Sequence, residues 1–172
     1  MAKSRRERVE RIDPLQKIIR SLGRELFLRY VFWDLAQSET RGGESSADEV
    51  SEDYFEFYER YAKDPWDNSR DLINGLSWFR VLKKGYIKSG KSGMLRKLIE
   101  PHMRNWQWDM TSFIVRSVLL AGTSEMLTTD VPLRVVLSQY VGLAYKYMEE
   151  ESAGFVNAVL DKVKKHIQAN NG

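Results

Sequence analysis

An all-α, single-domain fold is predicted by three features of the sequence. Apolar residues recur at spacings of three and four along most of the chain, no segment reads convincingly as a strand, and Asp-Pro and Asp-x-Pro pairs mark helix starts. With 172 residues, 42% hydrophobic and 30% charged, the chain can bury a core without disulfide or metal staples. We read residues 1–172 as one bundle of six to seven helices, preceded by a flexible basic arm over 1–13.

Taken in order, Asp13-Pro14 supplies an N-cap side chain and then proline at the first helical position. Leu15, Ile18, Ile19, Leu22, Leu26 and Tyr30 follow as an apolar stripe, predicting a helix to about Gln37. Gly23 is a weak point in it, costing about 1 kcal/mol against alanine. Residues 41–46 read as a loop. An acidic helix over 49–63 carries Tyr54, Phe55, Phe57, Tyr58 and Tyr61 and is stopped by Asp64-Pro65. A third helix, 67–84, puts Leu72, Leu76, Phe79 and Leu82 on one face. Beyond a glycine-broken loop come helices over 94–103, 108–127, 130–148 (opened by Asp130-Val131-Pro132) and 152–169.

Composition narrows the function classes. The chain has no cysteine, which excludes a disulfide framework or thiolate metal site and suits a reducing cytoplasm. No run approaches the ~20 apolar residues of a membrane span, and no apolar stretch follows the basic N-terminus as a secretory signal requires. His102 and His166 lack cysteine or H-x-x-x-H partners, so no metal or other cofactor is expected. No nucleophile–base pair can be argued from spacing, so no enzyme is expected.

Charge is segregated. Residues 1–24 carry eight basic and three acidic side chains (net +5), 39–64 three and nine (net −6), and 70–105 nine and two (net +7). Two basic blocks around an acidic one suit a polyanion-binding face; solvated helix faces plus a disordered basic tail would give the same counts.

The stretch GYIKSGKS, Gly85–Ser92, fits the phosphate-loop pattern G-x-x-x-x-G-K-[ST]. A working phosphate loop follows a buried strand and opens a helix. Here helix-period residues precede it, no later apolar strand ends in an aspartate for magnesium, and no β-α alternation exists. A basic hinge between two helices is the better reading, with Lys83, Lys84, Lys88 and Lys91 available to a nucleic-acid phosphate.

The C-terminal third carries a resemblance. Asp130-Val-Pro-Leu-Arg-Val-Val, then Phe155-Val-Asn-Ala-Val-Leu-Asp161, resembles the NusB family of bacterial transcription antitermination factors, whose ending runs D-V-P-x-x-V and then F-V-N-[GA]-V-L-D. Asn105-Trp106 looks like the family's N-W segment, Glu125 fits its glutamate, and Arg24-Glu25-Leu26 looks like its first helix. The likeness is strong over 99–167, moderate over 67–84, weak over 20–36 and absent over 39–64. It implies an all-α NusB-like fold, a boxA-like single-stranded RNA ligand, a small-subunit ribosomal protein (NusE in this role) as partner, and action on the transcription elongation complex.

Periodicity places Val156, Leu160, Val163 and Ile167 on a buried stripe of the last helix, with Phe155, Lys162 and His166 on one flank. From the residues alone, Phe155 either finishes the core or stacks on an unpaired base; the resemblance implies RNA contact. Ser152 reads as the N-cap of this helix, and Asn157 as a buried amide tying down a neighbouring turn. The resemblance also places Glu151 near RNA, where a carboxylate would repel phosphate. The family's arginine-rich N-terminus corresponds to Arg5, Arg6, Arg8, Arg11, Lys17, Arg20 and Arg24. Of these, Lys17, Arg20 and Arg24 share a helical face and read as phosphate anchors.

The sequence also departs from the family. Leu120 and Ser124 stand where relatives carry arginine and tyrosine, Ser138-Gln139 replaces an N-E pair, and Lys84 replaces an acid. If that arginine and glutamate face each other in relatives, losing both is tolerable where losing one is not. The expectation is an RNA-binding antitermination factor. The alternative is a diverged protein-interaction scaffold or homodimer without RNA binding.

Overall fold

The computed structural model describes residues 13–41 and 73–170. Among these lie six α-helices: α1 Pro14–Arg41, α2 Leu76–Lys88, α3 Lys91–Ile99, α4 Phe113–Thr128, α5 Leu133–Tyr147 and α6 Glu150–Asn170. Single 3-10 turns at Ile73–Gly75, Glu100–His102 and Trp108–Met110 join them. The predicted basic arm (1–12 of it) and acidic aromatic helix (49–63) fall outside the described residues.

Helix α4 is the axis. Its residues 115–126 are all buried, and α1, α2, α3, α5 and α6 all pack against it. A helix buried on every side has no solvent face to offer, and the other five surround it. The predicted stripe of α6 is buried as expected, with Val156, Leu160 and Val163 at 0% exposure. Leu120 is equally buried.

Several boundaries differ for physical reasons. Asp13 does cap α1: the Leu15 N–H donates to its Oδ1 at 3.2 Å. Yet Leu15 and Ile18, expected in the core, are exposed, because the first turns of α1 extend past the helices that cover its middle. Gly23 is no weak point but a crossing. A Cβ there would lie 2.7 Å from Trp78 Cβ and 2.8 Å from the Gly75 carbonyl oxygen, so only glycine lets α1 approach the start of α2 this closely. Helix α2 runs through Gly85 to Lys88. The turn comes at Gly90, whose φ of +82° favours glycine. The predicted 108–127 helix is interrupted at Thr111-Ser112, and the predicted 94–103 helix ends as a 3-10 turn.

The phosphate-loop pattern therefore spans a helix–turn–helix, and a helix leads into it where a phosphate loop needs a strand. Lys91 Nζ is 3.3 Å from Asp34 Oδ1, and the Tyr86 hydroxyl donates to Asp34 Oδ2 at 3.2 Å. Its lysine ties α3 to α1.

Candidate nucleic-acid interface

Helix α1 supplies the first component. Arg5, Arg6, Arg8 and Arg11 lie outside the described residues. Lys17 is exposed, and the Arg20 guanidinium lies 4.5 Å over the Trp78 ring of α2. Arg24 does not join them. It is 4% exposed and donates from Nε to both oxygens of Glu125 at 3.1 and 2.9 Å, and from Nη2 to Oε1 at 2.6 Å. Tyr140 adds its hydroxyl to Glu125 Oε2 at 2.9 Å. Spacing put Arg24 on the face of Lys17 and Arg20, but at that depth along α1 the face has turned into the bundle. Arg24 is therefore a buried structural arginine and not a phosphate anchor.

One residue later, Glu25 joins α1 to the end of α5. It accepts from Lys146 Nζ at 2.8 Å and from the Tyr147 hydroxyl, with Arg29 at 3.6 Å. Burial alone would raise the Glu25 carboxyl, but these hydrogen bonds and charges outweigh it and hold the carboxyl below its ordinary value. Tyr147 is three residues before Glu150, at most about 11 Å along the chain. Glu25 thus ties the middle of α1 to the end of α5, a short link before α6 begins.

The first turn of α6 carries Glu151, exposed, and Ser152, half-buried. Ser152 is not the cap: the helix begins at Glu150, and the Ala153 N–H donates to the Glu149 carbonyl at 2.9 Å. Asn157 is exposed, so it ties down no buried turn.

Phe155 is half-buried, and its ring stacks on Trp106 with centroids 4.2 Å apart and planes 17° from parallel. One ring face is therefore occupied by a neighbour, and the feature on offer is a pair of rings. About three turns further along the same flank of α6, His102 and His166 meet edge to face at 5.6 Å. Burial, then the charges of His166 and Lys162, push the His102 imidazole below its ordinary value. Spacing had put Phe155, Lys162 and His166 on one flank. It gave no sign that Trp106 and His102 complete that flank, since both come from the irregular stretch after α3.

The NusB family model matches residues 45–165. The chain belongs to the NusB family. The match begins inside the acidic segment for which no counterpart was visible, and it leaves α1 outside. A "Transcription antitermination protein NusB" of Nitrobacter hamburgensis is 31% identical over 122 residues, covering 70% of this chain and 75% of the relative. One of Sinorhizobium fredii is 36% identical over 104 residues, covering 59% of this chain and 64% of its own length. The solved T. maritima NusB has a TM-score of 0.58 at 24% identity, over 85% of this chain and 90% of that one, a likeness of fold. No helix among the described residues is long and apolar enough to cross a membrane.

Proposed function

We propose that this chain is an RNA-binding transcription antitermination factor. It holds a short, boxA-like single-stranded leader RNA, works with the small-subunit ribosomal protein NusE, and joins the elongation complex to modify RNA polymerase. No reaction is catalysed. The observation that carries this reading is the half-buried Trp106–Phe155 pair in a NusB-family chain, with Lys162 and His166 on the same flank about two and three turns further along α6. Aromatic rings at the edge of a core suit an unstacked base, and cationic groups further along the same flank suit the phosphates of neighbouring nucleotides. Lys17, Arg20 and the arginines of the N-terminal arm add sequence-independent phosphate contacts.

A filter-binding titration with boxA-like RNA across salt tests it. Several phosphate contacts predict a steep fall of log affinity with log salt, about 0.7 per phosphate for a single strand. A flat response, or binding no better than to a random acidic polymer, refutes it. Co-precipitation with the ribosomal protein, with and without RNA, tests the partner.

A second reading, a protein-interaction scaffold or homodimer, draws on Leu15 and Ile18, exposed by 59% and 57% on the first turns of α1. Sedimentation across protein concentration tests it: a monomer at all concentrations removes the homodimer.

A further inference from the structure

Residues 76–99, which make up α2, the turn and α3, contain seven basic side chains and no acidic one. Three of the seven have roles within the described fold. Lys91 pairs with Asp34, Arg96 pairs with Glu100 and Asp109 at 3.0 and 3.1 Å, and Lys83 places its ammonium 5.6 Å from the Tyr30 ring centroid. Arg80, Lys84 and Lys88 are exposed and form no ion pair among the described residues. They recur every four residues, so they line the outward face of α2 about 6 Å apart. Ile87 and Val81, 36% and 47% exposed, flank them. A shallow cavity of about 350 Å³ opens onto Arg80, Lys83, Lys84 and Ile87.

We propose that this face of α2 is a second RNA contact, taking the phosphodiester backbone of nucleotides beyond those held at the Trp106–Phe155 pair. The proposal rests on the RNA-binding reading above. Two observations favour RNA over an acidic protein. The cations follow one line instead of scattering, as a strand with regularly repeating charges needs. The cavity joins cations to an apolar side chain, which suits a phosphate with its attached base.

The test compares the full chain with an R80Q/K84Q/K88Q variant. Each is titrated across salt with a boxA-like RNA of roughly 10 nucleotides, near the site size of one single-strand-binding module, and with one about three times as long. The expected result is unchanged affinity for the short RNA and about tenfold or greater loss for the long one. Its log–log slope should become shallower by about 2, three phosphate contacts at ~0.7 each. If the parent binds both RNAs and the variant matches it on both, the stripe is not an RNA contact and the function stands. A parent that binds neither RNA overturns both readings. If poly-glutamate binds the parent and loses affinity in the variant while RNA affinity stays, the surface serves an acidic protein instead. Should the triple variant fail to fold, Lys84→Glu decides alone: it must weaken the long RNA and spare the short one.

Discussion

Arg24 and Glu125, 101 positions apart, form a buried ion pair that joins α1 to the central helix, with the Tyr140 hydroxyl completing the carboxylate's shell. Removing one partner leaves a buried charge uncompensated, which costs about 3–5 kcal/mol, whereas replacing all three polar groups can be near neutral. We expect Arg24→Met alone to lower the urea midpoint sharply. The triple Arg24→Met, Glu125→Leu, Tyr140→Phe should recover most of that loss. If Arg24→Met is as stable as the parent, the pair does not hold the bundle. Any loss of RNA affinity in the single variant should track unfolding and leave the salt slope unchanged.

The stacked rings make the opposite kind of prediction. Phe155→Ala removes a π-face and no charge, so affinity should fall by about 1–3 kcal/mol per lost base stack with an unaltered salt slope. Trp106→Ala should behave alike, because each ring holds the other in place at 4.2 Å. Circular dichroism must show both variants folded. Undiminished RNA binding in either folded variant would remove that ring from the interface.

Glu151, exposed in the first turn of α6, enjoys the positive end of that helix, an effect worth about 0.3–1 kcal/mol. Glu151→Gln should therefore lose a little stability yet bind RNA more tightly at low salt, the gain fading as salt screens phosphate repulsion. Equal affinity at low salt would mean no phosphate comes near.

His102 predicts a pH dependence. Its imidazole is pushed below the ordinary value of 6.5, so on acidification the unfolded chain takes up the proton first. Stability is then fully present above about 6.5 and falls as pH drops towards the depressed folded value. His102→Gln should flatten this limb of a stability–pH profile measured by urea unfolding. RNA acts with the opposite sign: phosphate near His102 and Lys162 favours the protonated His102 ring. Binding should tighten between pH 7.5 and 6 and take up protons, read by calorimetry in two buffers of different ionisation heat. Proton release on binding would contradict it.

What could be read from the chain was whatever depends on local periodicity. The α6 stripe of Val156, Leu160, Val163 and Ile167 repeats with the helix, and burial follows from that alone. The errors came from contacts between distant segments. Arg24 looked like a surface cation because its partner is far away in sequence. Gly23 looked like a defect because Gly75 and Trp78, which require it, belong to another element. Trp106 and His102 sit on 3-10 and irregular backbone, where no period announces which way a side chain points. The resemblance picked out Phe155 and, separately, Asn105-Trp106, but gave no sign that the two rings stack.

Lys91 tests the phosphate-loop pattern directly. In a nucleotide-binding loop this lysine reaches phosphate, and its loss abolishes nucleotide affinity while sparing the fold. Here Lys91 and Tyr86 both contact Asp34, the carboxylate of a residue buried in α1. Burial first, and then Asp34, drive the Tyr86 hydroxyl well above its ordinary value, so it stays a neutral donor across the working pH range. Lys91→Ala should accordingly cost about 1–3 kcal/mol, the range for a hydrogen bond to a charged group, because Asp34 keeps only one donor. Adding Mg-ATP should not raise the melting temperature of the parent, since a ligand stabilises only a state it binds. The outcome that reverses this reading is a parent melting temperature that climbs with ATP concentration while Lys91→Ala melts at the parent's ligand-free temperature and ignores ATP.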